Sequence, residues 1–119
     1  LGTYSSSKII EIQEANPPII AIQSNNEIHL LNIEGVPFGE IRLPFNEVED
    51  IFIENTVSGK TLVGFIDGLE NNVYLYETDG QLVTKKGLEG QKKLSIHSSN
   101  KGYRITTIVD QFIIQYFEN

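Results

Sequence analysis

A chain of 119 residues, 39% hydrophobic and 21% charged, fits one domain and is apolar enough to build a core. It holds no Cys, which excludes disulfides, thiol catalysis and thiolate metal sites together. The net charge is −7, with 13 acids and 3 bases in residues 1–80, and so acidic a body argues against nucleic acid as a partner.

No window approaches the ~18 uninterrupted apolar residues of a spanning helix, so no membrane insertion is expected. Residue 1 is Leu, Met is absent, and no charged-then-apolar leader is read in the chain. The expectation is a processed form or a piece of a larger exported or envelope protein, periplasmic, cell-surface or secreted.

Short apolar runs bounded by Gly, Pro, Asn or Asp predict strands at 8–13, 18–23, 26–33, 39–43, 48–54, 61–66, 72–77, 81–86, 92–98, 103–109 and 111–117. Turn chemistry marks the cuts at Asn16-Pro17-Pro18, Asn25-Asn26, Glu34-Gly35, Ser58-Gly59, Asn71-Asn72, Asp79-Gly80 and Asn100-Lys101-Gly102. No window of a dozen residues keeps a helical spacing. Ile supplies 17 residues, and β-branched side chains suit pleated, half-buried surfaces. The fold class is all-β.

Residues 61–103 repeat residues 18–60 at a step of 43. Ile20 and Ile22 lead to Val63 and Phe65, and then to Thr106 and Ile108; Ile51 and Ile53 lead to Leu94 and Ile96. The small residues Ala21, Gly64 and Thr107 share this ladder, as do Ser24, Asp67 and Asp110. A period of this size in a β-rich chain is read as stacked units. The expected units are 8–47, 48–90 and 91–119 of one repeat domain spanning 1–119. The last is one strand short, and residues 1–7 are placed to complete it.

The stretch Leu62-Val63-Gly64-Phe65-Ile66-Asp67-Gly68, followed by Asn72-Val73-Tyr74-Leu75-Tyr76-Glu77-Thr78-Asp79-Gly80, resembles a β-propeller blade of the WD-repeat or quinoprotein type. The resemblance implies four-stranded antiparallel blades, about three of them, where closed propellers typically have ~4–8. The chain has no Trp, and so neither the WD dipeptide nor the tryptophan docking of quinoprotein blades. A β-trefoil, also three repeats of about this length, is the alternative.

Candidate chemistry is sparse. Ser24, Asp67 and Asp110 are read as turn anchors rather than a shared ligand ring. The oxygen-rich run 67–72 lacks the D-x-D-x-D-G spacing of a calcium loop and has Thr78 where the bidentate Glu would stand. His29 and His97 are the only histidines, with no second His at metal spacing and no triad order. The acidic pairs Glu11 with Glu14 and Glu47 with Glu49 carry no weight as acid/base pairs. Glu49 and Asp50 stand 43 residues before Lys92 and Lys93, an opposition of charge that either orders neighbouring units or is solvated. The aromatics alternate along strands and are expected to fill the space between sheets.

No catalytic, metal or cofactor site is therefore expected, and no enzyme. The expected function is a propeller-like scaffold or protein-interaction module. Its partners are other blades of a parent protein, a second copy as a homodimer, another protein or a glycan. The alternative is a carbohydrate-binding, lectin-like trefoil.

Overall fold

The computed structural model describes residues 8–13, 18–56, 58–84 and 88–118. They form ten strands and no helix: β1 Lys8–Gln13, β2 Ile19–Ser24, β3 Glu27–Leu31, β4 Pro37–Arg42, β5 Val48–Asn55, β6 Thr61–Asp67, β7 Val73–Glu77, β8 Lys92–Ser99, β9 Gly102–Val109 and β10 Phe112–Glu118. Sequence-consecutive strands pair antiparallel into three sheets, β1-β2-β3-β4, β5-β6-β7 and β8-β9-β10.

Over 81–84, the described part of the strand expected at 81–86, no strand is formed. Leu82 makes one bridge to Tyr76, and the Val83 N–H donates to Leu75 O at 2.7 Å. The Leu75 N–H then donates to the hydroxyl of Thr84 instead of to a backbone carbonyl, which ends the ladder after one rung. Further along the β7 edge the Val73 N–H donates to Leu88 O, and Asn72 bridges Glu89. Residues 82–84 and 88–89 thus line this edge without forming a strand, and among the described residues four strands occur only in the first sheet. Residues 1–7, expected to complete the last unit, lie outside the described residues, as do 85–87 and the Asn16-Pro17 part of the first turn.

The chain divides into two units, one built on the first sheet with residues 78–81, the other on the second and third sheets. In the first unit β2 alternates strictly, with Ile19, Ala21 and Gln23 buried and Ile20, Ile22 and Ser24 half-buried. Register continues the buried face through Ile28, Leu30 and Ile41. Gln23 is buried and satisfied, its Nε2 donating to Asn25 O and Asn46 O at 2.8 Å each. Asn25, at φ 56°, turns β2 into β3 in the left-handed conformation that Asn tolerates. Beyond β4 the Glu40 N–H donates to Thr78 O at 3.1 Å.

In the second unit β6 is buried on both faces, so it reads as an almost unbroken apolar run. Leu62, Ile66, Val73 and Leu75 pack with Leu94, Ile96 and Ile105, and Phe52, Val83, Leu88, Tyr103 and Tyr116 close around them. Gly64 sits where these side chains meet. A Cβ there would lie 2.8 Å from Ile96 Cδ1 and 3.0 Å from Leu94 Cδ2, so the missing side chain is what lets the third sheet approach.

Candidate functional site

A groove of about 440 Å³ opens in the second unit, between the β5–β6 turn and the β8–β9 turn. Leu62, Val83 and Tyr103 supply its apolar surface; these side chains belong to the core or pack against it. Thr56, Ser58, Ser98, Ser99 and Asn100 supply the polar rim, with Lys60 and Glu77 paired at 3.8 Å. Local bonds hold the rim in shape. Thr56 Oγ1 donates to Lys60 O at 2.8 Å, and Ser98 Oγ donates to Glu54 Oε2 at 3.2 Å. Gly59, at φ 88°, allows the tight β5–β6 turn.

The turn residues named from the sequence are spent locally. Asp67 is buried, and its Oδ1 accepts the Leu69 N–H at 2.9 Å, while the Asn71 N–H donates to Asp67 O at 2.8 Å. Asn71 is left-handed at φ 58°, and Leu69 is 74% exposed, so the run 67–72 is an Asx-anchored hairpin loop. Asp110 lies one residue out of step with Ser24. Ser24 pairs Glu27 across a two-residue turn, and the residue in that position of the third sheet is Val109, paired with Phe112. Asp110 falls in the turn itself at φ 57°, where its N–H donates to Gln91 Oε1 at 2.8 Å. Among the described residues no group of three His, Cys, Asp or Glu is disposed to hold a metal.

His29 lies on β3 with Glu27 Oε1 at 3.5 Å and Glu40 Oε1 at 3.9 Å, and Arg42 donates to Glu27 Oε2 at 2.7 Å. His97 is exposed on β8, opposite Arg104. Glu47 gives its backbone carbonyl to the Gly68 N–H at 2.8 Å, and Glu14 lies outside the described residues.

The charge opposition takes a form that the sequence did not suggest. Among the described residues no ion pair joins Glu49 or Asp50 to Lys92 or Lys93. Asp50 Oδ2 accepts the Leu94 backbone N–H at 2.8 Å, while its Oδ1 accepts the Ile51 N–H at 2.9 Å. Both strands are irregular there, and Lys93 is left-handed at φ 59°. The carboxylate therefore holds an amide that the distorted start of β8 turns away from its own ladder.

Phe65 and Tyr76 meet edge-on at 6.0 Å, and Tyr74 stacks on Tyr76 at 6.5 Å. Burial, with Tyr74 beside it, pushes the Tyr76 phenol up to about 12. Phe38, Phe112 and Phe117 are exposed instead of lying between sheets, and Tyr4 lies outside the described residues. Sequence reasoning missed the groove, although its step of 43 sets Thr56 against Ser99 and Lys60 against Tyr103. Comparison with protein-family models, curated proteins and solved structures finds no match.

Proposed function

We propose that the chain is a non-catalytic scaffold or protein-interaction module of propeller-like blades, belonging to a larger exported or envelope protein. One observation carries the binding role: the groove joins an apolar surface to a hydroxyl-rich rim and one ion pair, the mix that orients a ligand without reacting with it. The blade reading is supported by the meander order of each sheet and by Ala21, Gly64 and Thr107. All three are buried in the second strand of their sheets. The partner is a protein segment that seats apolar side chains on Leu62, Val83 and Tyr103. Tyr103 beside five hydroxyl and amide side chains also favours a second reading, the lectin-like one, since sugars stack on aromatic faces.

Selection of peptides from a random library, alongside an oligosaccharide panel, tests both. Peptides whose binding is lost in Lys60→Glu and Tyr103→Ala, with both variants keeping a cooperative thermal melt, support the module. Glycan binding that needs Tyr103, with no peptide selected, supports the lectin. Turnover of an ester, glycoside or peptide that depends on His29 or His97 overturns the non-catalytic reading.

A further inference from the structure

The third sheet carries a second, smaller hollow of about 210 Å³. Register explains its composition. Ile96, Ile105 and Tyr116 form a cross-strand row turned toward the core. The adjoining row, His97, Arg104 and Phe117, therefore faces away from it. Lys101, from the β8–β9 turn, adds a further cation, and Phe117 is 73% exposed. Among the described residues no acidic side chain lines the hollow, in a chain with 16 acids.

Arg104 sets this place apart. Its Nε is buried and has no hydrogen-bond acceptor. A guanidinium N–H withdrawn from water without a partner is costly, and such a group in a folded protein calls for an acceptor that completes it. Arg42, the other arginine, has its carboxylate in Glu27 at 2.7 Å.

We infer that this hollow binds an oxyanion, a carboxylate or phosphate ester, carried on a small apolar group. The oxyanion accepts from the terminal N–H groups of Arg104 and, once the side chain turns to bring its buried Nε to the hollow, from Nε as well, the two-point geometry that a planar guanidinium offers. Lys101 adds charge, and His97 adds a donor. Phe117 flanks the apolar body of the ligand. The site goes beyond the groove reading and shares with the groove only Ser99, Gly102 and Tyr103 of the β8–β9 region.

The test titrates inorganic phosphate, phenyl phosphate and benzoate into nitrogen-15-labelled protein at low salt. The Arg104 Nε–H resonance and the amides of Lys101 and Phe117 are followed. The expected result is a saturable shift that weakens as salt is raised. In Arg104→Ala the amides of Lys101 and Phe117 should report a dissociation constant larger by roughly tenfold or more, as loss of a charge-assisted bond requires. Lys101→Ala, at an exposed turn, repeats the comparison should the first variant misfold, and its binding should weaken a few-fold. Phenyl phosphate binding more tightly than phosphate assigns an organic ester, benzoate more tightly than phenyl phosphate a carboxylate, and equal binding of the two phosphates the free ion. The inference is overturned by non-saturable shifts, by equal shifts with chloride at matched ionic strength, or by wild-type affinity in both variants.

Discussion

At Gly64 the absence of a side chain is the structural element. Any Cβ there meets Ile96 Cδ1 at 2.8 Å and Leu94 Cδ2 at 3.0 Å, both far ends of flexible side chains. Gly64→Ala should cost less than Gly64→Leu, and the larger residue should lower stability by ~1–3 kcal/mol, as overpacking does. Thermal melts of the two variants check the order; an unchanged midpoint for Gly64→Leu would refute this account of the sheet contact. Tyr76 gives a pH signature. Its phenol titrates near 10 in the unfolded chain and is raised to about 12 in the fold, so the native state favours the neutral form. That contribution is fully present below pH 10 and is lost as pH rises through about 12. Denaturant midpoints from pH 9 to 12 should fall less steeply in Tyr76→Phe than in the wild type. The closeness at Gly64 was legible in the sequence, because Ala21, Gly64 and Thr107 are all small at one step. The role of Asp50 was not: a carboxylate followed 43 residues later by lysines reads as an ion pair, and only the distorted start of β8 diverts it to a backbone amide.

Strands were legible where one face or both are buried. The alternation of β2 and the unbroken apolar run of β6 each announce their burial in their own periodicity. The segment 81–86 misleads because Leu82-Val83-Thr84 has the composition of a strand, while the decision belongs to one hydroxyl that takes the Leu75 N–H. The groove and the Arg104 hollow stayed hidden for another reason. Both are assembled from turns and cross-strand rows whose neighbours are fixed by register, which composition does not encode. Element geometry also makes the start of β8 a test case. Asp50→Ala leaves the Leu94 N–H without its charged acceptor and should destabilise by ~1–3 kcal/mol. Lys93→Gly, relieving a left-handed lysine at φ 59°, should stabilise by up to ~1 kcal/mol. Urea unfolding of both variants reads the pair of opposite signs, and two changes of the same sign would contradict this description.

At the scale of the whole molecule the question is what covers the sheet faces turned away from the buried side chains. In the first sheet Ile9 and Ile12 are 59% and 56% exposed, and in the third Ile113 and Phe117, which share the outer face of β10, reach 72% and 73%. Apolar side chains so exposed on sheet faces are a liability that proteins cover with a partner. Charge allows association between copies, because residues 81–119 carry 6 bases against 3 acids while residues 1–80 are strongly acidic. A two-fold dimer, the commonest closed assembly, is the expected state at high micromolar concentration. Sedimentation over a concentration series should show the mass rising toward twice 13.4 kDa. Ile9→Asp and Ile113→Asp should each hold the protein closer to monomer at the same concentration, with the double variant monomeric throughout. Salt separates the two contributions. If apolar cover dominates, 0.5 M NaCl leaves the dimer intact, whereas an association led by charge falls apart as screening shortens to a few ångströms. A wild-type chain that stays monomeric at high micromolar concentration would refute the association and return the blade reading to its alternative, a trefoil that closes within one chain.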